Sequence, residues 1–168
     1  MRRRMLFILA LPMMLAAAVW AASPALADSP HFISEGTASI DSSGLYNVTN
    51  FKEAGLGNTV STEKITLSAT ATATYACING GGKHPSATNK ETVTGAVSFT
   101  GSFAVRNGST TGTIAVGPPG PGSFSCPSGQ TLTLAFVSYT GVMLTGVAGD
   151  TSAEPNLSAC LFPGVGIC

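Results

Sequence analysis

The chain has 168 residues, eight basic and eight acidic, and 44% of its side chains are apolar, which suits a single domain. Three of the basic residues are Arg2, Arg3 and Arg4, so the remainder carries only Lys52, Lys64, Lys83, Lys90 and Arg106 against all eight carboxylates. A mildly acidic chain without a basic stripe cannot neutralise a run of phosphates, and this argues against nucleic acid as a partner.

The first 27 residues read as a signal peptide. "MRRR" gives a positive start, "MLFILALPMMLAAAVW" an apolar core, and Ala25-Leu26-Ala27 the small-x-small pattern cut before Asp28. A membrane anchor is the alternative, but Pro12 interrupts the short apolar stretch and no stop-transfer charges follow it. The arginines admit a twin-arginine route, which the very apolar core disfavours against general secretion. Cleavage leaves 141 of the 168 residues with a formal charge of −3 and removes Trp20, the only tryptophan. No later segment is apolar for long enough to span a bilayer, so a secreted, soluble protein is expected.

Residues 28–148 read as one β domain. Stretches 35–40 and 44–51 are two weak strands. From Ile65 the odd positions are Ile65, Leu67, Ala69, Ala71, Ala73, Tyr75 and Cys77, alternating with threonine, serine and alanine. Period two over this length predicts a strand with one face buried and a threonine-rich outer face. The small alanines call for bulky partners, expected to be phenylalanines on a facing sheet. The next strand offers them, with Val93, Gly95, Val97, Phe99, Gly101, Phe103 and Val105 at odd positions. Asn107-Gly108 is a strong hairpin signal leading into 110–117. "PPGPGSFSCPSG" is turn-forming, and residues 132–147 resume the alternation with a bulge expected at 139–141. Residues 149–168 read as a loosely ordered tail. With no helical periodicity, the fold expected is an antiparallel β-sandwich, immunoglobulin-like in general plan, with a small β-barrel as the alternative. The immunoglobulin cysteine–tryptophan signature is missing, because no tryptophan remains after export.

Four cysteines in an exported chain indicate disulfides, with three possible connectivities. The Pro- and Gly-containing segment between Cys160 and Cys168 lets them pair locally, leaving Cys77 with Cys126. Zinc is the alternative, but there is no Cys-x-x-Cys pair and both histidines stand apart from the cysteines. No metal or cofactor is expected.

The run "YACINGGGKHPSATNK" at 75–90, with "FKEAGLGN" before it and "GSFSCPSGQ" after it, resembles a family of small exported actinobacterial proteins of unestablished function. The likeness covers about residues 51–139. It implies export and a single strand-rich domain, and it brings no catalytic or binding residues.

The candidate site is the glycine loop. Gly80, Gly81 and Gly82 would let main-chain donors approach a ligand, with Asn79, Lys83, His84, Asn89 and Lys90 around them. The plainer reading is a chain reversal, with at least one of these glycines at positive φ. No helix starts here, as phosphate cradling by a P-loop would need. Nucleophilic catalysis has little to work with. His31 and His84 are the only bases of that kind, Gly-x-Ser-x-Gly is absent, and Asp41, Glu53, Glu63 and Glu91 read as solvated carboxylates near strand ends. Sugar binding would need exposed aromatic faces, for which only Tyr46, Tyr75 and Tyr139 stand beside the phenylalanines. The function expected is therefore non-enzymatic, by contact with an extracellular ligand or cell-wall component. Alternatives are a small-molecule carrier, a protease inhibitor presenting 118–130, and a secreted hydrolase.

Overall fold

The computed structural model describes residues 29–81 and 89–163. Among these residues nine strands form two antiparallel sheets packed face to face, an open β-sandwich. The first sheet holds β1 (His31–Ser34), β2 (Thr37–Ile40), β3 (Tyr46–Ala54) and β6 (Ser109–Val116). The second holds β4 (Thr62–Asn79), β5 (Lys90–Ala104), β7 (Gln130–Thr145), β8 (Thr151–Ala153) and β9 (Leu157–Cys160).

In the first sheet β3 is central. β6 runs along one side of it, while β1 and β2 pair in succession with its two halves. Gly36 makes the break between β1 and β2. At φ +90° its missing Cβ lets it lie against β3, where an added Cβ would stand 2.6 Å from Thr49 O. Opposite, Asn50 takes φ +59° at a bulge in the β3–β6 register, so Tyr46, Val48, Phe51 and Glu53 all turn inward.

In the second sheet β4 is flanked by β5 and β7. The alternation reads as expected: Ile65, Leu67, Ala69, Ala71 and Ala73 are buried. On the other face Thr66–Thr100, Thr72–Thr94 and Thr74–Thr92 pair their hydroxyls at 2.8, 2.9 and 3.1 Å. The β7 bulge falls where expected, with Gly141 at φ +59° and the β4 register shifting between Ser68 and Thr70. A second shift, between Thr74 and Tyr75, inserts Ala135. The hairpin at Asn107-Gly108 forms with φ of 51° and 70°, and Arg106 and Ser109 exchange both main-chain bonds across it.

The core joins Tyr46, Val48 and Phe51 of β3 and Ile114 and Val116 of β6 to Ile65, Leu67, Ala69 and Ala71 of β4 and Val137, Tyr139, Val142 and Leu144 of β7. Each fully buried Val, Leu, Ile or Phe stabilises by about 1.5–3 kcal/mol. The bulk opposite the alanines is not the expected pair of phenylalanines. β5 lies beside β4 in the same sheet, with Phe99 across from Leu67, and Phe99 remains 53% exposed. The facing sheet supplies Tyr46 and Phe51 instead, and Phe103 reaches the core edge-on to Phe51. Two buried tyrosines pin the loops. Tyr139 Oη donates to Gly44 O at 2.7 Å, Tyr46 Oη donates to Pro155 O at 2.7 Å, and their rings meet edge-on.

The sheets differ in length: β4, β5 and β7 have 18, 15 and 16 residues, β3 and β6 only 9 and 8. The overhanging end of the long sheet is closed by the loop after β6. There Cys77 is joined to Cys126, with Cα atoms 5.5 Å apart, and Tyr75 Oη donates to Pro119 O at 2.8 Å. On the opposite face, Ala76, Ile78 and Ala135 are covered by Phe162.

The segment from residue 149 is not loose where it is described. β8 pairs with Met143–Thr145 and β9 with Phe136–Tyr139 along one side of β7. Its strands are too short to show a period of their own, and pairing to the long β7 orders them. Cys160 is disulfide-bonded, and Cys168, its expected partner, lies outside the described residues. Residues 1–27, read from the sequence as a signal peptide, lie outside them too. Among the described residues no helix is long and apolar enough to cross a membrane.

Candidate functional site

The glycine loop is described only at its ends. Asn79 closes β4 and its Oδ1 accepts from Gly81 N at 3.2 Å, so a side chain carries the start of the turn. Gly80 and Gly81 are exposed, and neither takes a positive φ; the third glycine of the expected reversal is not among the described residues. An added Cβ at Gly80 would meet nothing within 4 Å. Gly82, Lys83 and His84 lie outside the described residues. Asn89 returns the chain, its carbonyl accepting from Cys77 N at 2.9 Å, and Lys90 opens β5 opposite Ala76. The structure thus brings Asn79, Asn89 and Lys90 to the disulfide end of the long sheet.

The other residues weighed for chemistry are placed as follows. His31 is exposed in β1, its Nδ1 2.7 Å from Ser29 O. Asp41 is a turn former, held below the usual carboxylate range mainly by the Ser43 hydroxyl, with Asn47 and the main-chain donors of Ser43 and Leu45 also bonded to it. Tyr46 and Tyr139 are fully buried and both pushed up to about 12 by burial, so neither offers a ring to a sugar. Tyr75 is half-buried.

Two of the carboxylates taken as solvated are inside. Glu53 is 0% exposed and Glu63 5% exposed. Strand parity carries both inward: Glu53 follows Phe51 by two, and Glu63 precedes Ile65 by two. The turn between β7 and β8 sets Asp150 against them. Val147 N donates to Glu63 Oε1 at 2.8 Å, but both oxygens of Glu53 and both of Asp150 are buried without a hydrogen-bond donor. Burial first, then the charges of Asp150 and Glu63 and a side-chain hydrogen bond with Asp150, push Glu53 up to about 8, and no cation among the described residues opposes them.

The grooves formed by the described residues include the following three. One of about 520 Å³ runs between β1 and β8 and is lined by Phe32, Glu35 and Ser152 among others. One of about 340 Å³ lies between Glu91 and Val93 of β5 and the turn-rich loop at Pro121 and Phe124. The third, about 450 Å³, sits where the β5–β6 hairpin meets β3. Lys52 and Arg106 line it with Asn107, Ser109, Thr110 and Thr111, and no acidic side chain does. The register explains the meeting: Lys52 stands opposite Thr111 on β6, and the hairpin returns Arg106 beside Ser109. Thr110 and Thr111 Oγ1 donate to Ala104 O and Phe51 O, so the floor of this groove is hydrogen-bonded into the fold. Sequence reasoning missed it because the two cations are distant in the chain.

Compared with known proteins, the chain matches no family model, no curated sequence and no solved structure.

Proposed function

We propose that this chain is an exported, non-enzymatic binding domain that takes an anionic group of an extracellular or cell-wall ligand in the groove lined by Lys52 and Arg106. One observation carries the reading: two of the five basic residues beyond the signal segment share one groove with hydroxyl and amide groups and without a carboxylate. Guanidinium binds carboxylate or phosphate through two parallel hydrogen bonds, and the ammonium adds a second charge. The hydroxyls and Asn107 suit the neutral oxygens of a polymer backbone. The resemblance to small exported actinobacterial proteins supports export, and so does the disulfide.

The test is co-sedimentation of the mature protein with purified cell wall, before and after anionic polymers are stripped from it. Retention should fall after stripping, and should fall in about 1 M salt, where the screening length shrinks to about 3 Å. Lys52→Ala and Arg106→Ala should each weaken it, with the fold intact by circular dichroism. Retention that ignores salt and both substitutions would overturn the reading.

A further inference from the structure

We infer that Glu53 and Asp150 form a binding site for a divalent cation of the calcium class, built into the end of the sandwich beneath the β7–β8 turn. Each sheet turns a glutamate inward at this end, Glu53 from β3 and Glu63 from β4, where a sandwich otherwise places apolar side chains. Glu63 is satisfied. It accepts from Val147 N at 2.8 Å and so holds the turn over the pair, while Gly146 N donates to Asp150 O at 3.0 Å within it.

The pair itself is not satisfied. Glu53 is wholly buried, and neither its oxygens nor the carboxylate oxygens of Asp150 meet a donor outside the pair among the described residues, so each carboxyl has only the other to share a proton with. Both groups point at one place. Above Gly146, the position an added Cβ would take lies 2.9 Å from Glu53 Oε1, and Asp150 Oδ1 is nearer still. The carboxylates therefore converge on a spot kept free of side chain. A buried carboxyl gives up its proton only when a cation or a metal stands against it, and among the described residues no lysine or arginine acts on Glu53.

Oxygen-only donors favour a hard cation. Calcium takes about six to eight oxygens in adaptable geometry, whereas magnesium keeps several waters and resists a buried seat. No three acidic, histidine or cysteine side chains among the described residues converge on one ion. Two carboxylates thus form the nucleus, and water would complete the shell. The protein-only alternative is a single proton shared by Glu53 and Asp150.

The experiment melts the full mature protein, stripped with chelator, against rising free calcium, and counts bound calcium by equilibrium dialysis. The midpoint should climb with calcium by mass action, with one ion per chain and a smaller response to magnesium. Glu53→Gln and Asp150→Asn should each abolish the climb, and both keep the shape of the side chain. Gly146→Ala, which places a methyl between the oxygens, should do the same. Absence of any calcium response in the wild type would overturn the inference and leave the shared proton. So would a response that survives both carboxylate variants, since the ion would then sit elsewhere.

Discussion

Glu154 is 7% exposed, follows β8, and has one carboxylate oxygen without a partner. Burial first, then the charge of Glu35, push it up to about 7 from an ordinary 4.5, while its bond to Ser152 works the other way. The native state therefore holds the proton more tightly than the unfolded chain does. Stability from this group is fully present below about pH 4.5 and is lost as pH rises through about 7. Glu154→Gln keeps the shape and removes the titration. Thermal midpoints measured from about pH 5 to pH 8 should fall more steeply for the wild type than for the variant, and the variant should melt higher at the alkaline end. Parallel curves would show that Glu154 titrates as a solvated group.

At the scale of elements, the long strands were legible, and of the short ones only β2 was. β4 and β5 alternate over 18 and 15 residues, so period two stands clear of chance. Asn107-Gly108 specified its hairpin because both residues tolerate positive φ. β1, β8 and β9, with 3 to 4 residues each, have no such pattern and owe their form to pairing with β3 and β7. Of the candidate site, the inward turn of Glu53 and Glu63 could be read by extending the parity of Phe51 and Ile65. The meeting of Lys52 with Arg106 could not, because only the β3–β6 register makes it. The hydroxyl ladder between β4 and β5 gives this scale its own prediction. Thr72 and Thr94 are directly opposed with oxygens 2.9 Å apart. A double-mutant cycle of Thr72→Ala and Thr94→Ala, followed by urea denaturation, should return a coupling of about 0.2–1 kcal/mol. A coupling of zero would mean that water serves each hydroxyl equally well.

For the molecule as a whole, the unequal length of the sheets divides the labour of holding it together. Where the sheets overlap, Leu67, Ala71, Ile114 and Val137 lie in one apolar cluster. Beyond the reach of β3 and β6, a covalent bond and a tyrosine hydrogen bond tie the inner face of the long sheet to the loop after β6. The disulfide spans 49 residues of sequence, and its loss from a domain of this kind costs about 2–5 kcal/mol. That loss need not spread evenly. Reduction of this disulfide is expected to open the overhang locally while the overlapped half keeps its packing. Under reductant, amides of residues 75–79 and 130–135 should exchange with solvent deuterium much faster, while those of 65–71 keep their protection. Equal acceleration in both sets would show a single cooperative body. With the pattern expected, a thiol-rich environment would loosen the glycine-loop end of the protein and leave the Lys52–Arg106 groove, at the hairpin, unchanged.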